Sequence, residues 1–256
     1  MLFLFYIFIF LLGIIFGSFI AAWVWRAHAE KSMWAGRSHC VACQYTLQAS
    51  DLIPVASFLF LKGKCRSCET PISKHYFFTE IFTGVVFLGL AVFYGGSFFF
   101  LSPVFLFALL GSIFLIAIFV SDLLYQEIPF EMTLVPTILL FILALGLGLS
   151  PWQDMILGAI IAGGFFLLQC ALSKGKWIGF GDVVLGILMG IILGWQGTLL
   201  ALFLAYVGGA LISVVLLLRK RADRKTPLPF GVFLTVATCI AFLWGEIIID
   251  WYLSLL

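Results

Sequence analysis

Charge is scarce in this chain. Of its 256 residues 10% are Asp, Glu, Lys or Arg, while 64% are apolar and the mean hydropathy is +1.21. Too little polar side chain remains to cover a water-soluble fold, so an ordinary soluble domain and a disordered chain are both excluded. The formal net charge of +2 gives no basis for nucleic-acid binding, and none is expected. Cysteine is sparse as well, six in all, too few for a disulfide-stapled secreted scaffold. The first apolar run, 2–25, lacks a basic start and a small-residue cleavage site. It therefore reads as a retained transmembrane helix rather than a signal peptide.

What the chain does have is long apolar runs. After 2–25 they fall at about 77–94, 98–120, 132–149, 155–172, 182–195, 198–218 and 229–249. Runs of this length predict membrane-spanning helices, eight in all, in an all-α polytopic protein. The basic residues are confined to three connectors: seven in 26–80, Lys174 and Lys176, and five in 219–225. With eight spans these connectors share one side, which the positive-inside rule makes cytoplasmic. Trp152, Trp195, Trp244 and Trp251 would then mark the outer interface and Trp25 and Trp177 the inner one. The Phe98-Phe99-Phe100 run reads as lipid-facing bulk, and Arg219-Lys220-Arg221 with Arg224-Lys225 as an orientation and headgroup anchor.

Against this background two acids stand out. Asp182 closes Gly179-Phe180-Gly181-Asp182 and opens an apolar run in which Gly186, Gly190 and Gly194 recur every four residues. That spacing places the glycines on one helical face, where a neighbouring backbone can approach closely. A carboxylate at the edge of such a run is costly to desolvate and calls for a reason. A helix-capping role is one. Asp122 lies in another connector expected on the same side, whereas Asp154, Glu246 and Asp250 fall on the opposite one. Two carboxylates a few ångströms apart share one proton, so one can activate a water while the other protonates a leaving group. Such a pair suits metal-free peptide hydrolysis. It also suits a proton-coupled transporter, and the spacing alone does not choose.

The only long polar segment, 26–80, holds Cys40-Val41-Ala42-Cys43 and Cys65-Arg66-Ser67-Cys68. Four thiolates from two short knuckles predict a closed, structural Zn2+ site of ribbon type, with disulfides or free thiols as the alternative. His39 adjoins the first knuckle as a possible substitute ligand. His28 and His75 read as bystanders, and Cys170 and Cys239 as small core residues.

Taken in order, these motifs resemble the type IV prepilin peptidases, membrane aspartic peptidases of the GxGD kind. The match runs nearly end to end. It starts at Gly17-Ser18-Phe19 and Arg26, and continues through the knuckles and Asp51-Leu52-Ile53-Pro54-Val55-Ala56-Ser57. Ile72-Ser73, Tyr76, Glu80 and Gly84 follow, then Asp122 with Ile128-Pro129, Gly179-Phe180-Gly181-Asp182 and Pro229-Phe230-Gly231. The resemblance implies that Asp122 and Asp182 are the catalytic pair. It implies cleavage after Gly of the short basic leader of type IV prepilins or type II secretion pseudopilins, at the cytoplasmic face of a bacterial inner membrane. It further implies methylation of the new N-terminus from S-adenosylmethionine, a role associated with the cysteine-bearing loop, with Tyr76, Glu80 and Gly84 as candidate residues. The family usually carries Lys two residues after the second Asp, where this chain has Val184, so the pair lacks that nearby ammonium.

The expected organisation is a first transmembrane helix (1–25), a cytoplasmic four-cysteine loop (26–80) and a membrane-embedded peptidase core (81–256). Glu127 and Glu131, on the connector 121–131 without Lys or Arg, either attract a basic leader while its apolar segment lies in the bilayer or form a solvated acidic connector, which topology rules tolerate. Two rival readings differ in what they explain. A transporter accounts for the acids but not the knuckles, and a zinc-ribbon membrane scaffold accounts for the knuckles but leaves the acids idle.

Overall fold

The computed structural model describes residues 2–32, 35–94, 102–219 and 228–255. The connector Gly95-Gly96-Ser97, the Phe98-Phe99-Phe100 run and the basic group from Lys220 to Lys225 lie outside them. Among the described residues the fold is all-helical. Its helices are α1 (Leu2–His28), α2 (Ala56–Phe60), α3 (Lys74–Tyr94), α4 (Pro103–Tyr125) and α5 (Glu131–Leu147), then α6 (Trp152–Ser173), α7 (Phe180–Leu218) and α8 (Phe230–Leu253). Six of these, all but α2 and α5, are long and apolar enough to cross a membrane; α5 is a shorter apolar helix. The protein is a multi-pass membrane protein.

The chain forms two compact units, Met1–Ala117 and Ile118–Leu256. In the first, α1 and α3 meet along small residues. A methyl added at Gly13 would lie 2.8 Å from Gly84 Cα, and one at Gly17 would lie 2.6 Å from Glu80 Cα. Glycines four apart thus bring the two backbones together, as small residues do where lipid offers no hydrophobic drive. The polar segment between α1 and α3 contains a 3-10 turn (Ala49–Leu52) and α2.

The second unit is built on the glycine face of α7. Gly186 packs against Ala162 and Phe166, Gly190 against the Gly158–Ala159 backbone, and Gly194 against Gly158. This is the tight seam that the four-residue glycine spacing predicts, and its partner is α6, running antiparallel. Any Cβ at Gly190 would collide with the α6 main chain.

The runs 182–195 and 198–218 form one continuous assignment, α7, broken at Gly194 (φ 66°, ψ −177°). That backbone conformation is open only to glycine. The break is a reversal. The Tyr206 ring, twelve positions beyond Gly194, packs 5.8 Å from Phe165 of α6, while α6 residues Ala162 and Phe166 pack on Gly186, eight positions before it. A straight helix would carry Tyr206 about 18 Å past Gly194, at about 1.5 Å per residue. Hence α7 is a helical hairpin with two arms. The turn comes at Gly194, two residues before the Gln196-Gly197 connector expected from sequence. Helix α8 packs antiparallel to the second arm, with Phe230 at 5.0 Å from Tyr206 and Leu200 over Gly245.

Candidate active site and thiol cluster

Two helix starts and one helix end converge in the second unit. Asp122, buried near the end of α4, accepts a hydrogen bond from the Val232 amide at 2.9 Å. Val232 belongs to the first turn of α8, whose unpaired amides are natural partners for an anion. Gly231 makes this approach feasible, because a methyl there would lie 2.9 Å from Asp122 Oδ2 and 2.8 Å from Ile128 Cδ1. The Pro229-Phe230-Gly231 motif therefore forms the floor beneath one carboxylate.

Asp182 is the third residue of α7, and its Oδ2 accepts the Gly179 amide at 3.2 Å. The capping role anticipated for this acid is thus real, though exercised from inside the first turn. The preceding residue, Gly181, is pressed against Ile128, with 3.1 Å from an added methyl to the Ile128 carbonyl. Ile128 therefore touches both corners, at Gly181 and at Gly231. Its own position is held by the connector after α4. Ser121 donates to the Glu127 carbonyl at 2.6 Å, and Gln126 takes a left-handed turn (φ 54°) with its amide on the Asp122 carbonyl at 2.9 Å.

These contacts bring the two acids, sixty residues apart in sequence, to one locus, where each lies in the electrostatic field of the other. Phe130 and Phe180 stack at 6.3 Å beside them, both exposed. Val184, two residues after Asp182, is buried and apolar. Glu127, on the connector after α4, and Glu131, which the structure makes the first residue of α5 rather than part of the connector, are both exposed. Asp154 sits at the other end of the hairpin, against Gly194, so it is remote from this locus.

In the first unit the four cysteines do come together, with all Sγ atoms within 4.8 Å of one another. The two knuckles are built alike, at a constant offset of 25 residues. The Cys40 amide donates to the Tyr45 carbonyl at 2.9 Å, as Cys65 does to Thr70 at 2.9 Å. Gln44 (φ 59°) and Glu69 (φ 55°) each turn left-handed directly after the second cysteine. The bridges His39–Thr46 and Lys64–Pro71 close the two knuckles. Across them, Cys40 and Cys68 lie 3.8 Å apart and Cys43 and Cys65 lie 4.0 Å apart. A tetrahedral zinc with bonds of about 2.3 Å requires sulfurs about 3.8 Å apart, so the four thiols fit a metal ion. Main-chain amides at Cys43 and Ala42 hold the Cys40 thiol below its ordinary range, and the Thr70 hydroxyl and amide bring Cys68 down to about 6. Both effects favour the thiolate, the form that binds metal. At Cys43 the Tyr45 main-chain hydrogen bond, which acts downward, is outweighed by desolvation and the neighbouring thiols, which push it up to about 11. His39 stands apart from the cluster, facing Lys31 at 3.2 Å and the Trp25 ring at 5.8 Å.

Beside the cluster lies a cavity of about 590 Å³, lined among others by Trp25, Asp51, Tyr76 and Glu80. Glu80 is buried, hydrogen-bonded to Ser18, and accepts the Val55 amide at 2.6 Å. Val55 adopts φ 61°, ψ −53°, a strained conformation for a β-branched residue, and the Glu80 bond holds it there. Asp51 bridges to Arg66 at 2.7 Å and so ties the turn to the second knuckle. Gly84 lies outside the cavity wall, in the α1–α3 seam against Phe10 and Ile14. Sequence reasoning missed Val232, and it read Trp25 as an inner-interface marker rather than as a wall of this cavity. The left-handed Val55 carries no signal in residue type at all.

Fold and site together define a polytopic membrane protein with paired acids at helix ends and a four-thiol module. The Bacterial Peptidase A24 N-terminal domain model matches residues 11–94, and the Type IV leader peptidase family model matches residues 109–214. A prepilin leader peptidase/N-methyltransferase of Bacillus subtilis is 32% identical over 96% of this chain and 97% of its own length. One of Aeromonas hydrophila is 34% identical over 85% of this chain and 75% of its own, and one of Pseudomonas aeruginosa 29% identical over 95% and 92%. No solved structure matches the chain. The chain belongs to the type IV leader peptidase family. As a member it is an enzyme, which sets aside the transporter and scaffold readings.

Proposed function

We propose that Asp122 and Asp182 hydrolyse the leader of type IV prepilins or pseudopilins with a shared water, at the cytoplasmic face of a bacterial inner membrane. The observation that carries this reading is the convergence at Ile128, which packs on the Gly181 corner that carries Asp182 and on the Gly231 step that holds Asp122. One carboxylate is ionised and draws a proton from the water as its oxygen bonds to the scissile carbonyl carbon. The other gives its proton to the departing nitrogen as the carbon–nitrogen bond breaks. The proton is shared by the pair, so the protonation states belong to both residues together.

Sidedness follows from counting spans. With α5 and both arms of α7 spanning, the chain crosses eight times, and every segment rich in Lys or Arg falls on the side of the two acids. Trp152 and Trp195 then stand at the opposite interface. The exposed Glu127 and Glu131 present negative charge to a basic leader, with the prepilin's apolar segment in the lipid.

The four cysteines hold a structural Zn2+ ion, and the cavity beside them holds S-adenosylmethionine. When bound, that group supplies an electrophilic methyl on a sulfonium. A ligand of this size, carrying a sulfonium, an ammonium and a carboxylate, fits a cavity of some 590 Å³ walled by Glu80, by the rings of Trp25 and Tyr76 and by the guanidinium groups of Arg26, Arg37 and Arg66. Glu80 keeps acceptor capacity beyond its bonds to Val55 and Ser18. Glu80 would orient the sulfonium, so that the new N-terminal amine of the processed pilin can be methylated, while Asp51, held by Arg66 and the Gln48 amide, shapes the wall.

The test is coexpression with a prepilin. Asp122→Asn and Asp182→Asn should each abolish the size shift while the membrane level of the enzyme is unchanged. Normal trimming by either variant sinks the reading. Glu80→Gln should cleave normally and lose methyl transfer.

A further inference from the structure

The second unit carries a polar pair that the acid chemistry does not use. Gln169 of α6 and Tyr206 of the second arm of α7 face each other within otherwise apolar helices. Gln169 Nε2 lies 2.9 Å and Oε1 3.1 Å from Tyr206 Oη. Their surroundings on the outer face are Leu168, Phe203 and Val207, all exposed. Tyr206 is itself 37% exposed. Polar groups on an apolar face are expensive to maintain, and an interhelical hydrogen bond of this kind returns little of that cost.

The pair lies at the acid-bearing end of the second unit, where Phe230 packs both on Tyr206 and, at 6.1 Å, on Phe166, which covers Gly186 one turn from Asp182. Tyr206 is in the field of Asp182. Its ring packs at 5.0 Å on Phe230, the residue before the Gly231-Val232 step that holds Asp122. The pair therefore forms an exposed polar margin next to the reacting groups.

Cleavage creates a need that this margin can meet. The acids attack a peptide bond whose neighbourhood must leave helical form to be reached, and every amide freed in an apolar medium requires a partner. A carboxamide has two N–H donors and two acceptor lone pairs, and Tyr206 occupies only part of them. Gln169 can thus donate and accept at once, as the edge of a strand does.

We propose that Gln169, oriented by Tyr206, is a substrate-positioning residue that hydrogen-bonds the main chain of an extended segment flanking the scissile bond. This rests on the peptidase reading above. Sequence recognition is left to the leader's charge; the pair reads backbone alone and so serves substrates of differing side chains.

The experiment uses the full-length enzyme in lipid nanodiscs, a synthetic prepilin segment, and Gln169→Leu and Tyr206→Phe. Loss of one such hydrogen bond should raise KM about tenfold in Gln169→Leu with kcat within about twofold, and less in Tyr206→Phe. A second substrate replaces one amide next to the scissile bond with an ester. The wild type should lose about tenfold on one such ester, and Gln169→Leu should lose nothing further on it. Unchanged KM in Gln169→Leu overturns the proposal, as do losses that multiply for every ester position. So does a fall in kcat together with a lowered melting temperature in Gln169→Leu, which would make the pair purely structural. Failure of the Asp122→Asn and Asp182→Asn tests would remove the peptidase reading itself, whereas dead acid variants with a normal Gln169→Leu would remove this assignment alone.

Discussion

Val232 donates its amide hydrogen to Asp122 Oδ2 at 2.9 Å, joining residues 110 positions apart. The bond makes the start of α8 a fixed donor for one carboxylate of the proposed catalytic pair. It depends on Gly231, where a methyl would lie 2.9 Å from the same oxygen and 3.1 Å from Asp122 Cγ. Gly231→Ala should therefore displace Asp122 by some tenths of an ångström. The expected result is a loss of cleavage of about tenfold to a hundredfold with little change in melting temperature. Prepilin processing rates beside a thermal melt check it.

The α6–α7 seam makes a contrast between two glycines of neighbouring helices. Gly190→Val would drive side-chain atoms into the Gly158–Ala159 backbone and should cost about 1–3 kcal/mol or more. Gly164→Ala faces open space on α6 and should be neutral or stabilising by about 0.5 kcal/mol. Detergent-solubilised melting curves of the two variants decide whether close approach, rather than glycine itself, is what the seam needs.

Val184→Lys would place an ammonium near Asp182 from a buried position. A nearby cation favours the ionised carboxylate, so the acid limb of the pH–rate profile should move to lower pH. Burying the charge should also lower stability, since its desolvation is only partly offset. Cleavage should persist. An unmoved profile would remove the electrostatic role assigned to this position.

Charge reversal at Glu127 and Glu131 tests the leader-binding reading. Both are exposed, Glu127 on the connector that also holds Ile128 and Glu131 at the start of α5. Glu127→Lys with Glu131→Lys should slow processing of a basic leader several-fold, more at low than at high ionic strength. A leader with its basic residues changed to acidic ones should restore the rate. Equal processing of both leaders by both enzymes would assign the acids to solvation only.

Metal removal should separate the two activities. The knuckles carry Arg66, whose bridge to Asp51 leads to the strained Val55 turn and Glu80. Chelation, or Cys40→Ser with Cys68→Ser, should therefore deform the cavity and abolish methyl transfer. Leader cleavage should stay within about threefold, because both acids are held by contacts of the second unit. Parallel gel-shift and methyl-label assays on one preparation provide the check, with zinc content measured alongside.

Much of this protein is legible in its sequence because the governing physics is local. Apolar runs long enough to span a bilayer, basic connectors and two C-x-x-C knuckles each lie within a short stretch of chain. The four-residue glycine spacing likewise declares a close helix contact, although not that α6 supplies the other side. Tertiary structure alone decided which distant pieces meet. The reversal at Gly194 depends on a single backbone conformation that hydropathy does not register, and it is what returns Tyr206 to the level of Asp182. The meeting of Asp122 with Val232, and of Gln169 with Tyr206, depends on which helix faces pack, a property of the whole fold rather than of any window along it. For the same reason the left-handed turn at Val55 has no mark in residue type, since it is held by the carboxylate of Glu80, 25 positions later.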